Sequence, residues 1–107
     1  MKLIPHARVF ENMELKIKQN DEETKGSFFI EEDGKRLAEM TYSKAGADKI
    51  IIDHTEVNDV LRGKGVGLRL VEAAVDYARG AGIKILPLCP FARATFKRKN
   101  EWRDVLS

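Results

Sequence analysis

The segment VLRGKGVG, residues 60–67, sets three glycines around one lysine. A run of β-branched residues precedes it, and a long amphipathic stretch follows. Glycine lacks a Cβ, so it reaches backbone conformations closed to other residues and lets a ligand approach the main chain closely. The first turn of a helix leaves N–H groups without partners, and the helix dipole adds positive potential there. A strand, a glycine loop and a helix opening, in that order, form a site for an anion, most often a phosphate. The main-chain groups of Arg62, Gly63, Lys64, Gly65, Val66, Gly67 and Leu68 are the candidates to hold it. The side chains of Arg62 and Lys64 add charge.

Spacing separates the known phosphate loops. The pattern G-x-x-x-x-G-K-[ST] fails, because Asn58 stands where its first glycine belongs and Gly65 follows Lys64. The dinucleotide pattern G-x-G-x-x-G fails as well, with Leu68 or Leu70 at its third glycine. The pattern that fits is R-x-x-G-x-G, running from Arg62 to Gly67.

The elements that must position this loop are legible from periodicity. Residues 1–12 carry Pro5 and no clear period, and read as a flexible lead-in to one domain over 13–107. MELKIKQ (13–19) alternates like a half-buried strand, and NDEETKG reads as a polar loop. SFFIEE (27–32) and KRLAEMTYSK (35–44) flank Asp33-Gly34, a strong hairpin signal. KIIIDHTEV (49–57) reads as a central strand. From Arg62, apolar positions recur at three and four residues through Val66, Leu70, Ala74, Tyr77 and Ala81, as on a half-buried helix. Gly80 and Gly82 offer left-handed caps. IKILPLC (83–89) is a short strand, and PFARATFKRK (90–99) a short helix with Pro90 in its first turn. The expected fold is α+β: a mixed sheet made of an antiparallel meander and then a β-α-β unit, closed by a short C-terminal helix. Strands joined by a helix crossover in one sheet are usually parallel.

In this setting the segment resembles the acetyl-CoA-binding motif of the GNAT superfamily of N-acetyltransferases. It is closest to a subgroup of very small GNAT-like proteins. The resemblance rests on IDHTEV (52–57), LRGKGVG (61–67) with its helix, and C-P-F at 89–91, and covers about Lys49 to Asp104. It implies acetyl-CoA, or CoA, as cosubstrate, with the pyrophosphate held by the amides of residues 62–68. It implies a splay between the two parallel strands through which pantetheine threads, and transfer of acetyl to an amine. Pro87, which cannot donate a ladder hydrogen bond, either sits beside that splay or faces solvent at a sheet edge. A backbone amide at Val57 or Asn58 is the GNAT-like choice for the carbonyl oxygen.

For the base, His54 is the best-placed side chain, because imidazole titrates near neutral pH. Glu56 shares its strand face and could act through water or tune the histidine. Cys89 ends the strand that flanks the thioester. It could protonate the leaving thiolate, or act as a nucleophile with His54 favouring its thiolate; a free cysteine is otherwise a small buried hydrophobe. Most GNATs carry a tyrosine acid on the following helix, and Phe91 to Lys99 contains none. The helices that shape the acceptor site in longer GNATs are also missing, with only NDEETKG between Gln19 and Ser27. The alternative reading is a non-enzymatic CoA-binding or protein-interaction module that keeps the fold.

Composition bounds the rest. Of 107 residues, 43% are hydrophobic and 34% charged, as in an ordinary soluble domain. No apolar run approaches the ~20 residues of a membrane span, and MKLIPHARVF lacks the apolar region of a secretory signal. One cysteine excludes an internal disulfide and fits a cytoplasmic protein. Two histidines and one cysteine are too few for a structural zinc site, so no metal is expected. The net charge is +2. Residues 1–48 carry 8 Lys and Arg against 10 Asp and Glu, and residues 49–107 carry 11 against 7, so the loop lies in the basic half. The basic run at Arg93, Lys97, Arg98 and Lys99 lacks the interleaved exposed aromatics of a nucleic-acid surface. The expected partner is an acceptor amine, small molecule or protein, met by a monomer or weak dimer with no membrane.

Overall fold

The computed structural model describes residues 15–107, and the lead-in expected over residues 1–12 lies outside them. Five strands form one sheet in sequence order: β1 (Lys18–Asp21), β2 (Lys25–Glu32), β3 (Lys35–Lys44), β4 (Lys49–Val57) and β5 (Lys84–Pro87). β1 to β4 pair antiparallel, and β4 and β5 pair parallel. The crossover is α1 (Val66–Ala81). A second helix, α2 (Pro90–Arg98), and a 3-10 turn over Asn100–Val105 follow β5. This is the mixed meander-plus-crossover sheet that the periodicity implies.

The hairpin between β2 and β3 turns on Asp33 and Gly34, with φ of 53° and 78°. A two-residue turn of matching twist needs both residues left-handed, which Asp tolerates and Gly prefers. α1 buries Val66, Leu70, Val71, Ala74, Val75 and Ala78. They join Phe28, Ile30, Met40, Ile50, Ile52 and Ile85 from the strands in one core cluster. Ala81 is exposed, so the stripe read from the sequence ends a turn early and Val75 joins it instead. Gly82 ends the helix at φ 69°, and its N–H donates to the Ala78 carbonyl. Burial of a side chain the size of Leu70 contributes about 1.5–3 kcal/mol, and the helix is held by such contacts more than by propensity.

Two elements fall elsewhere than their sequence pattern implies. Of the strand expected over 13–19, residues 13 and 14 lie outside the described residues and 15–17 are not strand; the first strand runs Lys18–Asp21, and all four of its residues are exposed. Leu15, buried, and Ile17, half-buried, precede it and pack on the core. The Leu15 carbonyl accepts from the Arg69 guanidinium at 2.7 Å, which ties this stretch to α1. Asp21, expected in a loop, instead accepts from the Tyr42 hydroxyl and from Lys44 Nζ at 3.0 Å. That anchor extends the pairing of β1 with β2. The helix begins at Val66, four residues later than expected. A 3-10 turn over Asp59–Leu61 intervenes, capped by Asn58, whose Oδ1 accepts from the Val60 N–H at 3.0 Å.

β4 carries a bulge. Thr41 pairs with His54 but Tyr42 with Ile52, so Asp53 is the extra residue. The bulge fixes which β4 side chains face the helices beyond it. Thr55 pairs with buried Met40 and Val57 with buried Ala38, so both face the helices. His54 and Glu56 face the other way, beside Thr41 and Glu39.

Candidate active site

The glycine loop holds two kinds of position. Gly63 and Gly65 have φ of 78° and 71°, in the left-handed region, and no atom lies within 4 Å of a Cβ built on either. Gly65 is the N-cap of α1, and no side chain caps it. Gly67 is helical, and its role is different. A Cβ there would lie 2.5 Å from the Phe91 ring, so this glycine lets α2 pack against the start of α1.

The amides of the loop are not equally free. The Arg62 N–H donates to the Asp59 carbonyl at 3.1 Å, and the Lys64 N–H reaches the Leu61 carbonyl at 3.4 Å. Both bonds belong to the 3-10 turn and its exit, so the Arg62 and Lys64 amides have backbone partners here. The first helical bond is from the Arg69 N–H to the Gly65 carbonyl. The amides of Gly63, Gly65, Val66, Gly67 and Leu68 find no backbone acceptor among the described residues. The Arg62 guanidinium is also engaged, 2.8 Å from Asp59 Oδ1, although exposure makes such a pair weak. Lys64 is exposed.

Beside the loop, β4 and β5 part. Their ladder ends where Ile52 meets Pro87. The N–H groups of Leu88 and Cys89 both converge on the Ile52 carbonyl, each at 3.1 Å, and the chain then turns into α2. Pro87 therefore stands at the fork, and it is buried there. β4 continues to Val57 with no strand on that edge among the described residues. The Asn58 N–H donates to the Leu37 carbonyl at 2.7 Å, on the β3 side. Strand alternation then turns the N–H groups of Val57 and Thr55 toward the open edge. So the amide of Val57 faces the fork, whereas that of Asn58 belongs to the sheet.

The side chains expected to carry chemistry separate across the sheet. Cys89 is 5% exposed, and its Sγ donates to Thr55 Oγ1 at 3.3 Å on the helix side of the fork. His54 and Glu56 are exposed on the opposite face. The thiol's partner is thus Thr55, a residue the sequence reading did not single out. Its signal was its place between His54 and Glu56, one residue out of phase with both. Glu56 lies opposite Glu39, which forms an ion pair with Arg36. A cleft of about 630 Å³ opens at this end of β4, lined by Arg36, Glu39, Thr55, Glu56, Val57 and Asn58 among others, and it reaches Arg62. His54, Cys89 and the glycines do not line it. Among the described residues no three His, Cys, Asp or Glu side chains converge as metal ligands do.

Comparison with known proteins agrees with this fold. The sequence matches the GCN5-related N-acetyl-transferase family over residues 27–105, and the chain belongs to that family. A GCN5-like protein of Staphylococcus aureus, solved by NMR, is 38% identical; the match covers 87% of this chain and 88% of that one, with a TM-score of 0.68. A ribosomal-protein-alanine N-acetyltransferase from Brucella melitensis is 17% identical over 80% of this chain and 64% of its own, with a TM-score of 0.56. An aminoglycoside N-acetyltransferase solved in complex with CoA is 15% identical over 81% of this chain and 89% of its own, with a TM-score of 0.54. The last two share the fold. No curated protein sequence matches. No helix among the described residues is long and apolar enough to cross a membrane.

Proposed function

We propose that this protein is an acetyl-CoA-dependent N-acetyltransferase. One observation carries the reading: five unpartnered amides, at Gly63, Gly65, Val66, Gly67 and Leu68, open beside the fork between β4 and β5. The residues fit a diphosphate. Two left-handed glycines leave open space at the main chain, and no side chain caps the helix. The CoA bound in the aminoglycoside enzyme of the same fold supports the same ligand.

Acetyl-CoA supplies an acyl group activated as a thioester. The chain's part is to place and polarise it. The free edge of β4 aligns the ligand, and the Val57 N–H donates to the acyl oxygen. The acceptor amine enters from the helix-free face, where Glu56 lies in the cleft and His54 beside it. Either group can take the amine's proton, Glu56 directly or through water. Cys89 lies on the far side of the fork, with Thr55 holding its sulfur. From there its thiol can give a proton to the departing CoA sulfur, and exchange with solvent restores both the thiol and the base between turnovers. A relay from His54 to Cys89 is not built, because the two sit on opposite faces of β4.

That separation also favours a second reading, a CoA-binding module without efficient turnover. Calorimetry with acetyl-CoA, ATP and NAD tests the ligand class, with binding expected for acetyl-CoA alone. Intact mass after incubation with acetyl-CoA, on wild type and Cys89→Ala, tests covalent transfer. A stable acetyl adduct only in wild type marks Cys89 as a nucleophile. Turnover of an amine without that adduct leaves it as an acid or a packing residue.

A further inference from the structure

A second cavity, of about 290 Å³, lies between the end of β5, α2 and the C-terminal turn. Its apolar lining is Pro87, Phe96 and Leu106. Its polar lining is wholly cationic: Arg93, Lys97 and Arg103. Arg93 and Lys97 are four apart on α2 and so share a face. Among the described residues, none of the three forms an ion pair. The nearby acids are engaged elsewhere, Asp104 with Arg79 at 2.8 Å and Glu101 with Lys99 at 3.9 Å. Three like charges around one concave spot repel one another, and the fold gains nothing visible from them.

The cavity meets the fork at Pro87 alone and lies on the other side of β5. One edge of β5 pairs with β4, where Thr55 and Cys89 lie. Its other edge carries the bridge from Ile85 to Leu106, with the Ser107 N–H on the Ile85 carbonyl at 2.8 Å. The cationic cavity is on that second side.

We propose that this cavity binds a small organic carboxylate with an apolar body. The size suits one ring or a short branched chain, at the small end of ligand pockets. Pro87, Phe96 and Leu106 would cover the body. Two guanidiniums supply the planar forks that carboxylates prefer, and Lys97 adds a third charge. The cations converge on one hollow and do not form a long strip, which favours a small anion over an acidic polypeptide.

Trp102 reports on the site. It is the single tryptophan, and its ring packs edge-on to Phe96 at 6.0 Å. The probe is 3-phenylpropionate, with 3-phenylpropanol as its neutral counterpart, both added with saturating CoA present. The expected result is a saturable change in Trp102 fluorescence near about 1 mM acid, and none with the alcohol. Arg93→Gln with Lys97→Gln, checked for folding by circular dichroism, should weaken binding at least about tenfold. Four results overturn the proposal: equal response to the alcohol, no saturation, unchanged affinity in the folded double variant, or binding of the acid that appears only when CoA is left out. Tighter binding of a hexaglutamate peptide than of 3-phenylpropionate also overturns it, and assigns the surface to an acidic partner. Because CoA only enters as a competitor, failure here leaves the acetyltransferase reading untouched.

Discussion

Cys89 Sγ lies 3.3 Å from Thr55 Oγ1 across the fork of β4 and β5, while His54, the residue before Thr55, faces the opposite side of the sheet. The thiol therefore answers to a hydroxyl and not to an imidazole. The rate at which iodoacetamide alkylates Cys89 at neutral pH should be the same in His54→Ala as in wild type. Thr55→Val should change that rate, and should cost about 0.5–1.5 kcal/mol of stability through the lost hydrogen bond. A changed rate in His54→Ala would show that the two groups communicate.

Gly65→Val separates ligand contact from folding. Its Cβ meets no protein atom, so the penalty is the left-handed φ of 71° imposed on a β-branched residue, about 1–2 kcal/mol. The variant should fold, melt a few degrees lower, and lose nearly all affinity for CoA. Chemical denaturation and calorimetry on one preparation check both halves.

Gly67→Ala should act through packing. Its Cβ falls 2.5 Å from the tip of the Phe91 ring, which is 40% exposed and able to swing outward. The expected cost is about 1 kcal/mol, the low end for overpacking. Combining it with Phe91→Ala should cost less than the two changes summed, because the second removes the obstacle to the first. Strict additivity of the two would mean that the ring is not what the glycine accommodates.

Asp21 and Tyr42 make stability depend on pH at both ends. The Tyr42 hydroxyl donates to Asp21, which holds the carboxyl below its usual range, with burial opposing the shift and Lys44 assisting it. A carboxylate depressed in the folded state contributes stability above its unfolded value, near about 3.9, and loses it as pH falls through the folded one. Burial, then Asp21, push the Tyr42 hydroxyl above its ordinary range. That contribution is complete below about 10, the unfolded value, and fades as pH rises beyond it. Tyr42→Phe should lose about 1–2 kcal/mol at neutral pH, the worth of a hydrogen bond to a charged group. Urea midpoints of the wild type should decline between about pH 10 and 12, and the variant should flatten that decline.

Much of this fold is written in local pattern. Asp33-Gly34 states its own turn, β4 states its β-branched run, and α1 states its stripe. What local pattern cannot hold is register. The bulge at Asp53 decides that Thr55 faces Cys89 and that His54 does not, and a bulge follows from two strands meeting. The late start of α1 has a similar cause: Asn58 caps a 3-10 turn that draws on the amides of Arg62 and Lys64. β1 formed past its apolar alternation because Asp21 has Tyr42 and Lys44 to reach, residues more than twenty positions away. Gly67 looked like its neighbours Gly63 and Gly65 until Phe91 was placed against it.

The most direct measurement is a two-dimensional amide spectrum of the protein titrated with acetyl-CoA. The account predicts that the largest shifts fall on Gly63, Gly65, Val66, Gly67 and Leu68, with Thr55 and Val57 next, and that the amides of Arg62 and Asn58 move little. Saturable binding whose shifts avoid that loop, or no binding while the protein is folded, would contradict it.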